Sequence, residues 1–193
     1  MGDTLDRPQD DAPQATSKHS PAEATASTLS HPQGSSVSAR AQTINRPRDE
    51  VFAYWRDFAN LATFMENVER IDVLDQHRSH WVVKSPTGTV EWDSVITDER
   101  PGELIAWTSE EGADVPNSGR VEFRDAGSRG TVVTATILYD PPGGVIGKVV
   151  AKMFQREPAI QARRDLRRFK QLMETGEIAT GARNQRLLEE GKN

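Results

Sequence analysis

From residue 38 onward, apolar positions recur with two periods, and the switches between the periods mark the elements. Residues 38–45 alternate loosely and read as a strand. Arg46-Pro47 opens a helix, because proline suits the first helical turn. Val51, Tyr54, Trp55 and Phe58 give that helix an apolar stripe at spacings of three and four. Asn60 is placed to cap a second short helix holding Leu61, Phe64 and Met65. Strands follow at 68–74, at 80–84 with Trp81 and Val83 on one face, and at 89–98 with Val90, Trp92, Ser94 and Ile96 on one face. Residues 100–103 (Arg-Pro-Gly-Glu) mark a turn into a strand at 104–109. A glycine-containing excursion at 110–117 leads to a strand at 119–124, with Val121 and Phe123 on one side. The last strand, 131–139, is rich in β-branched residues. Its two faces, Val132, Thr134, Thr136 and Leu138 or Val133, Ala135, Ile137 and Tyr139, are equally eligible to point inward.

After Pro141-Pro142-Gly143-Gly144 the period becomes helical from 145 to 174. Ile146, Val149, Val150 and Met153 form one stripe, and Ala162, Leu166, Phe169 and Met173 resume it beyond Pro158, which is expected to kink or break the helix. Gly176 is a natural stop. The order is a strand, two short helices, about six antiparallel strands and one long helix. A meander sheet with one apolar face needs a cover, and the long helix is the element large enough to supply it. A curved sheet closed over a helix, with two small helices at one end, leaves room for an apolar ligand cavity.

Composition divides the chain. Residues 1–37 hold no aromatic residue and only four large apolar ones, whereas all twelve aromatics lie at position 52 or later. A segment so poor in apolar surface cannot offset its ordering entropy, so 1–37 is expected to be a disordered arm, 38–175 the folded domain and 176–193 a polar tail. The net charge of −5 argues against a nucleic-acid binder. The absence of cysteine excludes disulfides and thiolate chemistry. No apolar stretch is long enough to span a membrane as a helix, and the acidic first residues are unlike a secretory leader. A cytoplasmic protein is the expectation.

The order of elements and several local strings resemble the helix-grip SRPBCC superfamily, which includes START domains, birch-pollen-allergen proteins and polyketide cyclases. The matching strings are residues 46–53 opening the first helix, then Trp55, Asp57, Leu61 and Phe64-Met65. Next come Trp81-Val82-Val83, Glu91-Trp92-Asp93, Arg100-Pro101-Gly102-Glu103 and Ile105-Ala106-Trp107. Gly130-Thr131 and the hinge at 141–144 complete the set. The resemblance covers roughly 38–175 and is greatest to the cyclase/dehydrase branch, similar to coenzyme Q-binding START-like proteins. It implies an α+β helix-grip fold, with a curved antiparallel sheet of about six to seven strands wrapped on a long C-terminal helix. It also implies a pocket for a hydrophobic small molecule such as a lipid, an isoprenoid quinone or a polyketide-like ring. The superfamily contains carriers, sensors and enzymes, so the fold leaves the function open.

The residues offer few groups for catalysis. His19 and His31 lie in the arm, His77 in a turn, and His80 alternates with Trp81, so no pair is placed for a metal and neither metal nor cofactor is expected. Glu91 and Asp93 share a strand face opposite Trp92, Ser94 and Ile96. Asp93 becomes an acid/base candidate only if that face is the inner one. Tyr139 is the other candidate, for an aromatase/cyclase acting on a polyketide-like substrate. The expected ligand-contacting set is Phe58, Phe64, Met65, Trp81, Trp92, Ser94, Trp107, Phe123, Val149 and Met153. Strand aromatics supply ring surface to a planar guest as readily as they fill a core. Residues 145–175 carry eight basic and three acidic residues, so the long helix has either an ordinary solvated face or one suited to an anionic membrane surface.

Overall fold

A computed structural model describes residues 36–85, 88–139 and 158–178. The strands are β1 (Ser36–Ile44), β2 (Val68–Val73), β3 (Arg78–Ser85), β4 (Gly88–Arg100), β5 (Leu104–Ser109), β6 (Asn117–Asp125) and β7 (Thr131–Tyr139). Helix α1 (Arg48–Arg56), a 3₁₀ turn at Phe58–Asn60 and α2 (Leu61–Phe64) follow β1, and α3 (Pro158–Thr175) follows the sheet. All seven strands form one antiparallel sheet in the order β1-β7-β6-β5-β4-β3-β2. Register shifts at Val68/Arg70 and Ile96/Asp98 add the local bends with which such a sheet curls. The architecture is the helix grip expected from the sequence.

Local chemistry departs from expectation in two places. Pro47 sits just outside α1 with ψ of 144°, so it is the residue before the helix and not part of its first turn. Asn60 has helical dihedrals and makes no cap hydrogen bond. Its Nδ2 donates to the Tyr54 carbonyl at 3.3 Å, which ties the 3₁₀ turn to α1. The expected stop at Gly176 is present. Its φ of 77° is one that L side chains rarely adopt, and its N–H donates to the Leu172 carbonyl at 2.8 Å. Val145 to Glu157 of the expected long helix, with Val149 and Met153, lie outside the described residues, as do 1–35 and 179–193. Strand β1 begins at Ser36, two residues inside the segment read as an arm.

Helix α3 is held to the sheet along β1. Leu166, Phe169 and Met173 are buried, whereas Arg163, Arg164 and Arg167 are exposed on its far face. Arg46 donates from Nε to the Met173 carbonyl at 2.7 Å, which satisfies one of the carbonyls left open at a helix C-terminus. Lys170 Nζ reaches the Thr43 carbonyl and Glu174 Oε1, each at 2.7 Å. The C-terminal half of α3 closes a dense aromatic core. Phe169 stacks on Phe64 at 4.7 Å and meets Trp55 edge-on at 5.2 Å, and Phe123 is wedged beside Phe52 at 5.3 Å. Each such side chain contributes about 1.5–3 kcal/mol on full burial.

Candidate functional site

Beyond this core the concave face of the sheet and the N-terminal half of α3 part, and a cavity of about 200 Å³ lies between them. Strand alternation decides its lining. In β4 the residues turned inward are Trp92 and Ser94, and in β5 they are Ile105 and Trp107. In β7 they are Ala135, Ile137 and Tyr139, which resolves the two-way reading of that strand. Trp81 faces Trp92 directly across β3 and β4, and their rings stack at 6.1 Å and 8°. Trp55 and Leu61 from α1 and α2, with Phe58 and Met65 beside them, close one end, and Ala162 and Leu166 of α3 form the roof. The wall is therefore almost wholly apolar and aromatic.

Most polar groups near the tryptophans are already bonded to protein. Trp81 Nε1 donates to Ser79 Oγ at 2.9 Å, and Trp107 Nε1 donates to Asn117 Oδ1 at 3.3 Å. Asn117 in turn donates to the Val115 carbonyl at 2.9 Å, and Ser94 Oγ donates to the Thr108 carbonyl at 3.3 Å. These two indoles and Ser94 thus present surface to a guest, with their donors engaged elsewhere.

The exception is Asp165, on α3 at the cavity wall. Its Oδ1 accepts from Gln161 Nε2 at 3.0 Å and from the Glu66 backbone N–H at 3.2 Å. Burial raises its pKa to about 6, against the lowering effect of those two hydrogen bonds and of Arg168. Among the described lining residues it is the one carboxyl group, and Tyr139 is the one other side chain with a titratable proton.

Phe58, Met65, Trp81, Trp92, Ser94, Trp107 and Tyr139 are brought together at the cavity. Phe64 and Phe123 are not. Both lie inside the aromatic core, where Phe169, Phe52 and Trp55 cover them. Alternation gave the inward face of Phe123 but carries no information on whether the space before it is filled. Asp93 lies on the convex face because Trp92 and Ser94 take the inner one. There it pairs with His80 Nδ1 at 2.8 Å, beside Glu91, out of reach of the cavity. Asp165 was missed. It lies three residues after Ala162 and four before Phe169, on the edge of the predicted stripe, and that spacing was the available signal.

Among the described residues no group of three His, Asp or Glu side chains is placed to hold a metal ion. No helix among them is long and apolar enough to cross a membrane.

The fold agrees with comparisons to known proteins. A family model described as polyketide cyclase/dehydrase and lipid transport matches residues 44–167. An uncharacterised 17.2 kDa protein of Streptomyces lincolnensis is 31% identical over 139 residues, covering 72% of this chain and 89% of that protein. A crystal structure from Deinococcus radiodurans is 38% identical, with a TM-score of 0.61, covering 74% of this chain and all of that one. An aromatase/cyclase from Streptomyces sp. R1128 superposes with a TM-score of 0.57 at 15% identity, covering 75% of this chain and 99% of that one, a likeness of fold alone.

Proposed function

The chain belongs to the polyketide cyclase/dehydrase and lipid transport family, and from that premise we propose that it binds a hydrophobic, ring-containing small molecule in the cavity under α3. The observation that carries this reading is the wall itself: four tryptophans and a set of aliphatic side chains around about 200 Å³ of space. An engineered apolar cavity of about 150 Å³ admits benzene and stays dry otherwise, so this one has room for a ring system larger than a single benzene ring. A long isoprenoid or acyl tail would have to extend beyond it. Burial of apolar ligand surface drives binding at roughly 25 cal/mol per Å², less the cost of immobilising the guest.

The test is direct. Native mass spectrometry of the full chain from its own host should show an adduct of lipid-like or aromatic mass. Titration with 2-methylnaphthalene should quench tryptophan fluorescence with a roughly micromolar Kd. A protein that emerges clean and leaves its tryptophan emission unchanged by the hydrocarbon would remove the reading.

Asp165 favours a second reading, cyclase or dehydrase chemistry on a polyketide-like substrate, since an acid/base works best with a pKa near the operating pH. Under that reading the protein accelerates deuterium exchange at the carbon between the carbonyls of a hydrophobic β-diketone, and Asp165→Asn abolishes the acceleration. Exchange at the uncatalysed rate with wild-type protein would leave binding alone.

A further inference from the structure

The cavity has a polar pole, and its chemistry narrows the class of guest. Asp165 divides its two oxygens unequally. Oδ1 is saturated by Gln161 and by the Glu66 N–H. Oδ2 makes no hydrogen bond among the described residues. The turn after α2 brings Glu66, whose carboxylate opposes a second negative charge. Helix α3 brings Arg168, which favours the charge and is also drawn to Glu66 at 3.9 Å, with its own Nε buried and unpartnered. The sheet brings no charged side chain to the wall, only neutral ones and the Tyr139 phenol.

We infer that Asp165 is the specificity-determining residue of the cavity, and that the guest is an apolar ring compound carrying a carbonyl oxygen, which accepts a hydrogen bond from the protonated Oδ2–H. This rests on the reading of the cavity as a ligand site. The reason for a carbonyl is energetic. A guest that fills the space expels the remaining water, and a dry apolar wall penalises a carboxylate far more than a neutral acid. A hydroxyl-bearing guest would return one hydrogen bond to a charge still stripped of solvent. A carbonyl pairs with the neutral acid and leaves no charge to bury. Burial already raises the carboxyl to about 6 without a guest, so near neutral pH binding takes up a proton from solvent onto Oδ2.

The test uses the full chain and two probes of matched shape, 2-methyl-1,4-naphthoquinone and 2-methylnaphthalene, with Kd measured between about pH 5 and pH 8.5. Quinone binding should weaken by up to about tenfold per pH unit above the Asp165 titration. The preference for quinone over hydrocarbon should be large at low pH and vanish at high pH. Asp165→Asn, whose amide donates at every pH, should keep the preference and lose the pH dependence. Asp165→Leu should bind both probes alike at every pH. The inference is overturned if wild-type quinone affinity is flat with pH, if the pH dependence survives in Asp165→Asn, or if Asp165→Leu retains the preference. Failure of both probes to bind at any pH overturns the cavity reading as well. Binding of the hydrocarbon with no preference for the quinone overturns only the role given to Asp165.

Discussion

The two halves of α3 meet the same sheet and do opposite things with it. At the C-terminal half Phe169 and Met173 reach across the gap and lock into Phe64, Trp55 and the rest of the aromatic core. At the N-terminal half the corresponding positions hold Gln161, Ala162 and Asp165, and about 200 Å³ is left open above Trp81, Trp92 and Trp107. Helical period, sheet curvature and strand face are shared by both halves. What differs is side-chain volume at a few helix positions. A filled core is maintained by dispersion contacts that a gap forfeits, so the hollow is a stability cost that the filled half offsets.

The largest effect is expected from emptying the filled half. Phe169→Ala should lower unfolding stability by about 3–5 kcal/mol, the range for a buried phenylalanine whose site collapses only in part. Urea denaturation with an unchanged slope would measure it. A loss below about 1 kcal/mol would mean that the C-terminal half is not the anchor and that the two halves are more alike than the geometry shows.

The second effect is specific to the hollow half. Asp165 binds its proton more tightly when folded than when unfolded, its pKa being raised from 3.8 to about 6 by burial. Its contribution to stability is therefore full below about pH 4 and is lost as pH rises through about 6. The loss amounts to about 3 kcal/mol once both states are ionised. Asp165→Asn should remove this dependence and leave the variant more stable than wild type, relative to their difference at pH 4, by about that amount at pH 8. Parallel stability-versus-pH curves for the two proteins would show instead that the carboxyl is freely hydrated.

How far the sequence reveals this contrast can be followed residue by residue. The faces of β3 and β4 were legible, because Trp81 follows His80, Trp92 stands between Glu91 and Asp93, and a strand has only two sides. The helix stripe was legible for the same kind of reason. Depth was not. Phe64 and Phe123 share the inward face with the cavity residues, yet the space before them is occupied by side chains from other elements, Phe169, Phe52 and Trp55, which no local pattern reports. Asp165 was hidden by its neighbours, since eight basic residues in 145–175 draw attention to charge on the solvated face. Asn60 misled because a helix-capping residue type also serves inside a 3₁₀ turn when its amide finds another carbonyl.

A third experiment asks whether the hollow depends on a missing side chain in the sheet as well as on small ones in the helix. Gly119 of β6 pairs directly with Trp107, and a Cβ there would fall on Cζ2 and Cη2 of the indole and on the Thr136 carbonyl. Gly119→Ala must displace that ring or shift the strand backbone. A cost of about 1–3 kcal/mol is expected for the overpacking, together with weaker binding of 2-methylnaphthalene. Unchanged affinity in a destabilised variant would show that Trp107 yields away from the guest.

The smallest effect is the most discriminating. Ala162→Leu adds three carbons to the roof of the cavity from a helix whose backbone need not move. If the space is a true void, the new side chain gains apolar contacts at about 0.8 kcal/mol per buried methylene, less its rotamer entropy, so a stabilisation of about 1 kcal/mol is expected in urea. The same carbons occupy volume that a guest would use, and affinity for 2-methylnaphthalene should fall by about tenfold, equivalent to about 1.4 kcal/mol. The two changes have opposite sign only if the hollow half is kept open for a ligand. Destabilisation on adding the leucine would mean that the roof already touches the wall, and the two halves of α3 would then differ in composition but not in packing.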